Sequence, residues 1–399
     1  MSMNDIRKDF PSLNQTNRDK PLVYLDSAAT SLTPNQVIDS ELDYYKKYRG
    51  SVHRSVYELG EKATNAFENS RKKIAKFIGT SEKSIVFTKS ATESINLVAE
   101  SWGYNNLSKN DIVLLTDMEH HSNIIPWQMI CKKTGAKIKY LESSDDGTIS
   151  IKEFKKALNK NVKIVSITHA SNVFGTINPV KEFINLAHKN ESKIMLDGCQ
   201  AIPHMKVNVK ELGCDFYAFS AHKMLGPTGV GVLYGKEDLL EKMQPYQTGG
   251  GIIKTVTMEN STWTSIPHKF EPGTPMIAQV IALSPAVDYL ENCLSNHDNQ
   301  LMDYAIEKMN SINGLSIYGH AKERTPIISF NIKNVHSLDL AHFLDFEGIT
   351  IRSGHHCCQP LMQALDISAC ARASFYFYNT FDEVDFLIEK INKAIKVIK

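Results

Sequence analysis

Short apolar runs alternate with segments of helical spacing through the first two thirds of this 399-residue chain. The runs are rich in Ile, Val, Leu and Phe, as is typical of strands buried on both faces. The predicted strands are 85–88, 112–116, 138–141, 164–168, 194–196 and 216–219. The predicted helices among them are 95–102, 124–133 and 179–189. This alternation predicts an α/β fold with a mainly parallel central sheet covered by helices on both faces.

The pattern changes on either side of this region. Helical spacing at 34–48 and 58–78 follows an N-terminal arm that contains a short candidate strand at 23–26. Further helices are predicted at 276–292 and 298–311. Beyond residue 314, strands at 326–331 and 349–352 mix with helices at 337–346 and 381–397, which predicts a smaller α+β domain. The expected division is an arm (1–33), a large domain (34–265), an interface loop with connecting helices (266–313) and a small domain (314–399).

Charge and cysteine usage indicate which partners and which cellular compartment the chain suits. The formal net charge is +1, so nothing in the balance favours a nucleic-acid or membrane-surface partner. The first residues are polar, and no apolar run reaches the roughly 18 residues of a membrane span. The seven cysteines are scattered and odd in number, which fits a reducing, cytoplasmic compartment.

The stretch 214–226 carries the first candidate chemistry. A buried strand ends there, and Ser220, His222 and Lys223 leave the sheet together. Ligands of open α/β sheets bind beyond the carboxyl ends of the strands. A partly desolvated lysine at such a place loses its proton readily and forms a Schiff base with an aldehyde. An ordinary surface lysine is the alternative.

Two other strand ends carry polar groups. Ser90 and Glu93 have the spacing of a capping box, yet the same helix start would suit a phosphate. Asp197 ends the strand at 194–196. A buried acid needs a cationic partner, so Asp197 is either salt-bridged or holds a pyridinium nitrogen protonated.

Several further side chains suit catalysis or binding. His120, in a loop after strand 112–116, would stack on a flat cofactor and move protons, or is an ordinary loop histidine. The loop 354–360 contains two adjacent histidines and two adjacent cysteines, a spacing that does not favour zinc. A reactive thiol there, made more anionic by the histidines and by Arg352, is the preferred interpretation. A vicinal disulfide or a merely exposed thiol is the alternative. Arg372 is a carboxylate anchor or a structural ion pair.

Taken together, ordered segments across nearly the whole chain resemble the fold-type-I enzymes that use pyridoxal 5'-phosphate. More narrowly, the chain is similar to the group II, SufS-type cysteine desulfurases. The segments are VYLDSAAT (23–30), SVHR (51–54), ATESINLVA (91–99), MEHHSNIIPWQ (118–128), THASNVFGT (168–176), LDGCQA (196–201), FSAHKMLGPTG (219–229), FEPGTP (270–275), IRSGHHC (351–357) and RASFYFYNT (372–380).

The resemblance implies a role for each matching residue. Lys223 corresponds to the lysine that binds the cofactor covalently, Asp197 to the partner of its ring nitrogen, and His120 to the histidine stacked on the ring. The implied phosphate ligands are Thr92, Ser220 and His222, with Thr274 donated by the other subunit of a homodimer. Gln200 would lie beside the phenolic oxygen, Asn172 and Arg372 would hold the substrate carboxylate, and Cys357 would be the nucleophile.

The implied activity is conversion of L-cysteine to L-alanine with a persulfide formed on Cys357. A SufE- or SufU-type protein would accept the sulfur for iron–sulfur cluster assembly. A selenocysteine lyase would share the same groups, and a non-catalytic scaffold is a further alternative. Cys358 directly follows Cys357, at a position where a small or apolar residue is common in the family. Cys357 is favoured because it directly follows the two histidines.

Overall fold

The computed structural model describes residues 3–294 and 297–398. Its strands, in chain order, are β1 (Thr16–Asn17), β2 (Lys20–Pro21), β3 (Val23–Tyr24), β4 (Ile85–Thr88), β5 (Ile112–Thr116), β6 (Lys137–Leu141), β7 (Val162–Thr168), β8 (Lys193–Asp197), β9 (Phe216–Ser220), β10 (Gly231–Gly235), β11 (Ile253–Val256), β12 (Ser261–Trp263), β13 (Leu315–Tyr318), β14 (Ile327–Ile332), β15 (Ile349–Thr350), β16 (Arg352–Gly354) and β17 (Cys370–Ser374).

The α-helices are α1 (Met3–Lys8), α2 (Asn35–Lys47), α3 (Glu58–Phe77), α4 (Ala91–Val98), α5 (Tyr104–Asn106), α6 (Ile125–Thr134), α7 (Ile151–Ala157), α8 (Val180–Lys189), α9 (Val209–Leu212), α10 (Glu237–Lys242), α11 (Ile277–Cys293), α12 (His297–Asn310), α13 (Ser337–Phe346), α14 (Gln359–Ala364) and α15 (Phe381–Val397). A π-helical turn, Ala99–Gly103, extends α4. The 3-10 turns are Pro11–Asn14, Glu82–Ser84, His121–Asn123, Ala221–Lys223 and His268–Phe270.

The central sheet has seven strands in the order β4-β10-β9-β8-β7-β5-β6. Strand β10 runs antiparallel to both of its neighbours, and the other pairs are parallel. The predicted α/β fold with a mainly parallel sheet is therefore confirmed. Because the parallel strands share one direction, their carboxyl ends meet at one edge of the sheet, where the predicted site residues follow them.

Strand β9 shows why the strands of this sheet appear in the sequence as continuous apolar runs. Successive side chains of a strand point to opposite faces. Phe216 and Ala218 accordingly pack in one hydrophobic core, and Tyr217 and Phe219 pack in the core on the other face. With helices covering both faces, every position of the strand is buried, and no polar alternation remains.

A second, antiparallel sheet of order β13-β14-β17-β16 lies in the C-terminal third. It shares a core with α12, α13, α15 and residues of the N-terminal arm. The single strand predicted over 349–352 is wrong. Strand β15 pairs in parallel with β3 of the arm, whereas β16 pairs with β17. Two different partners therefore divide the apolar run into two strands.

A buried ion pair fixes the segment that follows β12. Arg71 of α3 donates from both terminal nitrogens to the Glu271 carboxylate, at 2.7 and 2.8 Å. The two side chains are only 1% and 7% exposed. Removing one partner of such a pair leaves an uncompensated buried charge, which typically costs about 3–5 kcal/mol. Glu271 also accepts from the Phe87 amide of β4 at 2.8 Å, so its carboxylate anchors this segment to both α3 and the large sheet.

No described helix is both long and apolar enough to cross a membrane.

Candidate active site

A cavity of about 380 Å³ lies at the carboxyl ends of β7, β8 and β9. It brings together residues from the arm, the central sheet and the C-terminal third. The sequence-predicted residues that line it are Thr92, His120, Asn172, Asp197, Gln200, Ser220, His222, Lys223, Cys357 and Arg372. The convergence of groups separated by up to 280 residues in the chain, from Thr92 to Arg372, makes this cavity the candidate active site.

Lys223 ends the 3-10 turn that directly follows β9. The arm holds this turn in place. The Ser31 amide donates to the His222 carbonyl at 2.9 Å, and the Leu225 amide donates to Ser31 Oγ at 2.8 Å. Lys223 is half-buried, so its amine faces the cavity on a backbone that is fixed from two sides.

Asp197 is a buried carboxylate without a cationic partner in the described part of the chain. Its side chain accepts a hydrogen bond from the Cys199 amide at 3.0 Å, and it is in none of the ion pairs there. The residue is only 6% exposed. Because a buried charge requires compensation, the structural salt bridge that the sequence left open is not present here, and a cationic ligand atom is favoured.

Gln200 supplies a second unsatisfied group in the same cavity. Its amide nitrogen donates to the Ala28 carbonyl at 2.7 Å, while its buried Oε1 has no partner. Buried polar atoms are nearly always hydrogen-bonded in native proteins. The Asp197 carboxylate and this orphaned oxygen are two acceptors in one cavity, and they fit pyridoxal phosphate because it carries a protonated ring nitrogen and polar ring substituents.

His120 remains neutral in this environment. Burial lowers its pKa to about 4, and the positive charge of Lys223 acts in the same direction. The Nδ1 atom accepts a hydrogen bond from the Ser122 amide at 3.1 Å, which places the proton of the ring on Nε2. A neutral, partly buried imidazole is suited to contact an aromatic ring.

The start of α4 forms the polar end of the cavity. Ser90 caps the helix by accepting from the Glu93 amide, but the Glu93 carboxylate accepts from the Lys89 amide and not from Ser90. The predicted capping box is therefore only half formed. The Thr92 hydroxyl is exposed beside it, and Ser220 and His222 line the same cavity. Hydroxyls and an imidazole at a helix N-terminus suit a phosphate group.

Gly231 allows this turn to pack closely on the sheet. A Cβ atom at Gly231 would lie 2.4 Å from the Ser90 carbonyl carbon, so no larger residue fits there without moving the backbone.

Arg372 combines the two roles that the sequence left open. Its guanidinium donates to Asp26 at 3.2 Å and to the Asn172 carbonyl at 2.8 Å. Its Nε has no partner although the side chain is buried. Arg372 is thus ion-paired and still has a free donor for a carboxylate in the cavity. Asp26 also accepts from Arg352 at 3.0 Å, so one carboxylate orients both arginines. Sequence reasoning missed Asp26, although its place after strand β3 was a usable signal.

The loop before α14 holds its backbone in an unusual conformation. His356 and Cys357 both have left-handed φ angles, +52° and +57°. Each such non-glycine residue costs roughly 1–2 kcal/mol, so the surrounding contacts must hold the loop. The His121 amide donates to the Cys357 carbonyl at 2.7 Å, and the Gln359 amide donates to His121 Nε2 at 3.1 Å.

The two adjacent cysteines differ completely in access. The Cys357 thiol is exposed, whereas Cys358 is fully buried. Burial also lowers the pKa of His356 to about 3, so this imidazole is neutral near pH 7. The prediction that both flanking histidines contribute positive charge to the thiol is therefore wrong for His356, because its burial was not visible in the sequence.

Thr274 does not reach this cavity. It lines a separate cavity of about 510 Å³ together with Ser51 and His53. It is exposed on the segment that the Arg71–Glu271 pair anchors.

One group of possible metal ligands occurs in the described part of the chain, namely His53, Glu68 and His268. The Glu68 carboxylate is already engaged by His53 Nε2 at 2.8 Å and by Arg71 Nε at 2.9 Å. The positive charge of Arg71 opposes a cation, so the group is explained as an ion-pair network.

Behind the site, His169 gives a pH-dependent contribution to stability. Burial lowers its pKa to about 4, whereas the unfolded chain titrates near 6.5. Between about pH 6.5 and pH 4 the histidine is therefore protonated in the unfolded state but not in the folded state. The free energy of unfolding falls as the pH is lowered through this range. We expect wild type to lose about 3 kcal/mol more than His169→Gln between pH 7 and pH 4. Urea unfolding of both proteins at each pH measures this, and parallel profiles would contradict it.

Comparisons with known proteins agree with this site. Residues 23–387 match the family described as aminotransferase class-V. A protein of Halalkalibacterium halodurans named "Probable cysteine desulfurase" is 50% identical over 399 residues, which cover 99% of this chain and 98% of the relative. The apo structure of the cysteine desulfurase from Thermococcus onnurineus NA1 is 37% identical, with a TM-score of 0.94 over 99% of this chain and 98% of that one. The cysteine desulfurase CsdA (S-sulfonic acid) from Escherichia coli is 33% identical, with a TM-score of 0.93 over 100% of both chains.

Proposed function

Because the chain belongs to the class-V aminotransferase family and is a pyridoxal-phosphate-dependent cysteine desulfurase, we propose that the cavity around Lys223 is its active site. The substrate of this activity is L-cysteine. The observation that carries the assignment is the presence in one cavity of an amine (Lys223), an unpaired buried carboxylate (Asp197) and an exposed thiol (Cys357).

Each end of the cavity would hold a different part of the cofactor. Asp197 would keep the ring nitrogen protonated, and Gln200 Oε1 would accept a hydrogen bond from a polar group of the cofactor. Thr92, Ser220 and His222 would bind the phosphate at the start of α4. The bound cofactor supplies an electron sink for the bonds at the substrate α-carbon.

The substrate is oriented by its carboxylate. Arg372 offers a free Nε and a planar guanidinium that Asp26 holds in place. Asn172 Nδ2 uses one of its two hydrogens to donate to the His356 carbonyl, so its second N–H is the donor that would bind the substrate carboxylate. With the substrate held in this way, Lys223 Nζ takes the proton from its α-carbon.

Cys357 performs the sulfur transfer. Its thiolate attacks the sulfur of the substrate, so that an S–S bond forms as the Cβ–S bond breaks. The electron pair of the broken bond remains with the carbon fragment, which takes up protons and leaves as alanine. Cys357 then carries a persulfide at an exposed position.

We propose that a SufE- or SufU-type protein accepts this sulfur for iron–sulfur cluster assembly in the cytoplasm. The exposed position of Cys357 supports transfer to a second protein, since a buried persulfide would not be reached. All seven cysteines are free thiols, which supports a reducing compartment. Transfer of labelled sulfur from the persulfide-carrying enzyme to a purified SufE- or SufU-type protein tests the identity of the acceptor.

We further propose a homodimer in which Thr274 completes the phosphate site of the partner subunit. Thr274 lines a different cavity from the candidate active site of its own chain, which supports this arrangement. Large apolar side chains are exposed on α2, on α3 and in the connection between them, as expected for an interface. They are Ile38, Leu42, Tyr45, Val56, Tyr57 and Leu59. Light scattering of the holoenzyme should give twice the mass of the chain.

The domain division 1–33, 34–265, 266–313 and 314–399 is part of the same proposal. The separate hydrophobic core around the C-terminal sheet supports a small domain, to which the arm contributes Val23 and Leu25. Limited proteolysis that cuts between these ranges would agree with it.

The function is tested by recording the absorption spectrum of the purified protein before and after addition of L-cysteine while alanine release is followed. We expect a coloured protein whose spectrum changes with substrate and which forms alanine. A colourless protein that forms no alanine with added pyridoxal phosphate would overturn the proposal. Parallel assays with L-cysteine and L-selenocysteine as substrates distinguish a cysteine desulfurase from a selenocysteine lyase.

A further inference from the structure

The catalytic loop depends on contacts from outside for its shape. His356 and Cys357 are consecutive non-glycine residues with left-handed φ angles. Such backbone persists only where surrounding groups determine it. The contacts on either side of Cys357 therefore decide where its thiol lies.

Asn172 makes two of these contacts with one side-chain amide. Its Nδ2 donates to the His356 carbonyl at 2.8 Å, and its Oδ1 accepts from the Cys358 thiol at 3.2 Å. Arg372 in turn donates to the Asn172 carbonyl at 2.8 Å, which fixes Asn172 on the wall of the cavity. One amide thus joins the residues immediately before and after Cys357.

We propose that Cys358 is a positioning residue, and that its thiol and the Asn172 amide together hold Cys357 at the cavity. This role depends on the proposed assignment of Cys357 as the residue that receives sulfur. Cys358 itself is fully buried and is not among the residues that line the cavity.

The chemistry of Cys358 suits this task. Burial raises its pKa far above the usual thiol range, so the group stays protonated and remains a hydrogen-bond donor. Alanine at this position would remove the donor and leave Asn172 Oδ1 with an empty acceptor site in a buried environment. Serine would preserve a donor of similar size.

The test compares Cys358→Ala, Cys358→Ser and a matched control, Cys131→Ala. Cys131 is also a buried free thiol, but it lies in α6 outside the cavity. We expect Cys358→Ala to lower kcat for alanine formation roughly fivefold, the factor for a hydrogen bond of about 1 kcal/mol. KM for L-cysteine and the cofactor spectrum should not change. Cys358→Ser should stay within about twofold of wild type, like the control.

A double variant shows whether the thiol acts through Asn172. Cys358→Ala combined with Asn172→Ala should be no slower than Asn172→Ala alone, because the contact is already lost. Equal kcat values for wild type and Cys358→Ala would overturn the positioning role. So would a Cys358→Ser variant that binds cofactor normally but is as slow as Cys358→Ala.

The result is separable from failure of the proposed function. If Cys357→Ala is inactive while both Cys358 variants have the wild-type kcat, only the positioning role is wrong. If Cys357→Ala keeps full activity, the proposed function of Cys357 is itself wrong.

Discussion

Replacing Lys223 by alanine is expected to leave a protein that neither holds the cofactor covalently nor forms alanine from L-cysteine. Lys223 provides the only amine among the residues that line the described cavity, and it is also the base that takes the α-proton. Loss of a group with both functions should reduce kcat by about a thousandfold or more. The measurements are the absorbance of the purified protein and the rate of alanine release.

Borohydride reduction followed by peptide mapping gives the matched observation on the unaltered protein. The reduced adduct should be found on the peptide that contains Lys223. Lys242→Ala, which changes an exposed lysine in the last turn of α10, serves as the control and should keep both colour and activity. An adduct on another lysine, or full activity of Lys223→Ala, would contradict the assignment of the site.

Replacing Cys357 by alanine is expected to separate cofactor binding from sulfur transfer. The variant should retain the cofactor absorbance and its change with L-cysteine, because no proposed cofactor ligand is altered. Alanine formation should fall by about a thousandfold, since removal of a nucleophile abolishes the step that it performs. Mass spectrometry should find the added sulfur on wild-type Cys357 and none on the variant.

Cys358 cannot replace the missing thiol, because it is fully buried and its high pKa keeps it protonated. Cys358→Ala is therefore the natural comparison and should retain about a fifth of the wild-type kcat. The assignment would be reversed if Cys357→Ala kept full activity and Cys358→Ala lost it.

The sequence predicts those parts of the fold that local patterns determine. The strand β5 and the helices α13 and α15 begin and end at the predicted residues, because apolar spacing and capping residues act within the element itself. The run at 349–352 was misread because its pairing partners lie far away, one in the arm and one after residue 369. The short helix α7 was missed altogether, although Ser150 caps it.

The site residues, too, were predictable where local patterns determine them and not where contacts between distant parts of the chain do. Lys223 and Asp197 were predictable since Asp197 ends one buried strand and Lys223 lies in the turn after another, and the edge of a parallel sheet brings such residues together. The link from Asp26 to Arg372 was not predictable, because a contact across 346 residues leaves no local pattern. The neutral state of His356 was missed for a similar reason, since burial depends on the packing of distant elements.

The arm has a consequence for how the protein is made on the ribosome. Strand β3 pairs with β15, and the Ser27 hydroxyl is hydrogen-bonded to the Tyr378 hydroxyl, so the arm finds partners that are translated much later, in the case of Tyr378 351 residues later. The same arm donates through Thr30 to the carbonyl beside Lys223. A nascent chain that has not yet reached Tyr378 therefore lacks these anchors of the arm, and its lysine turn is without part of the support that it has in the folded protein.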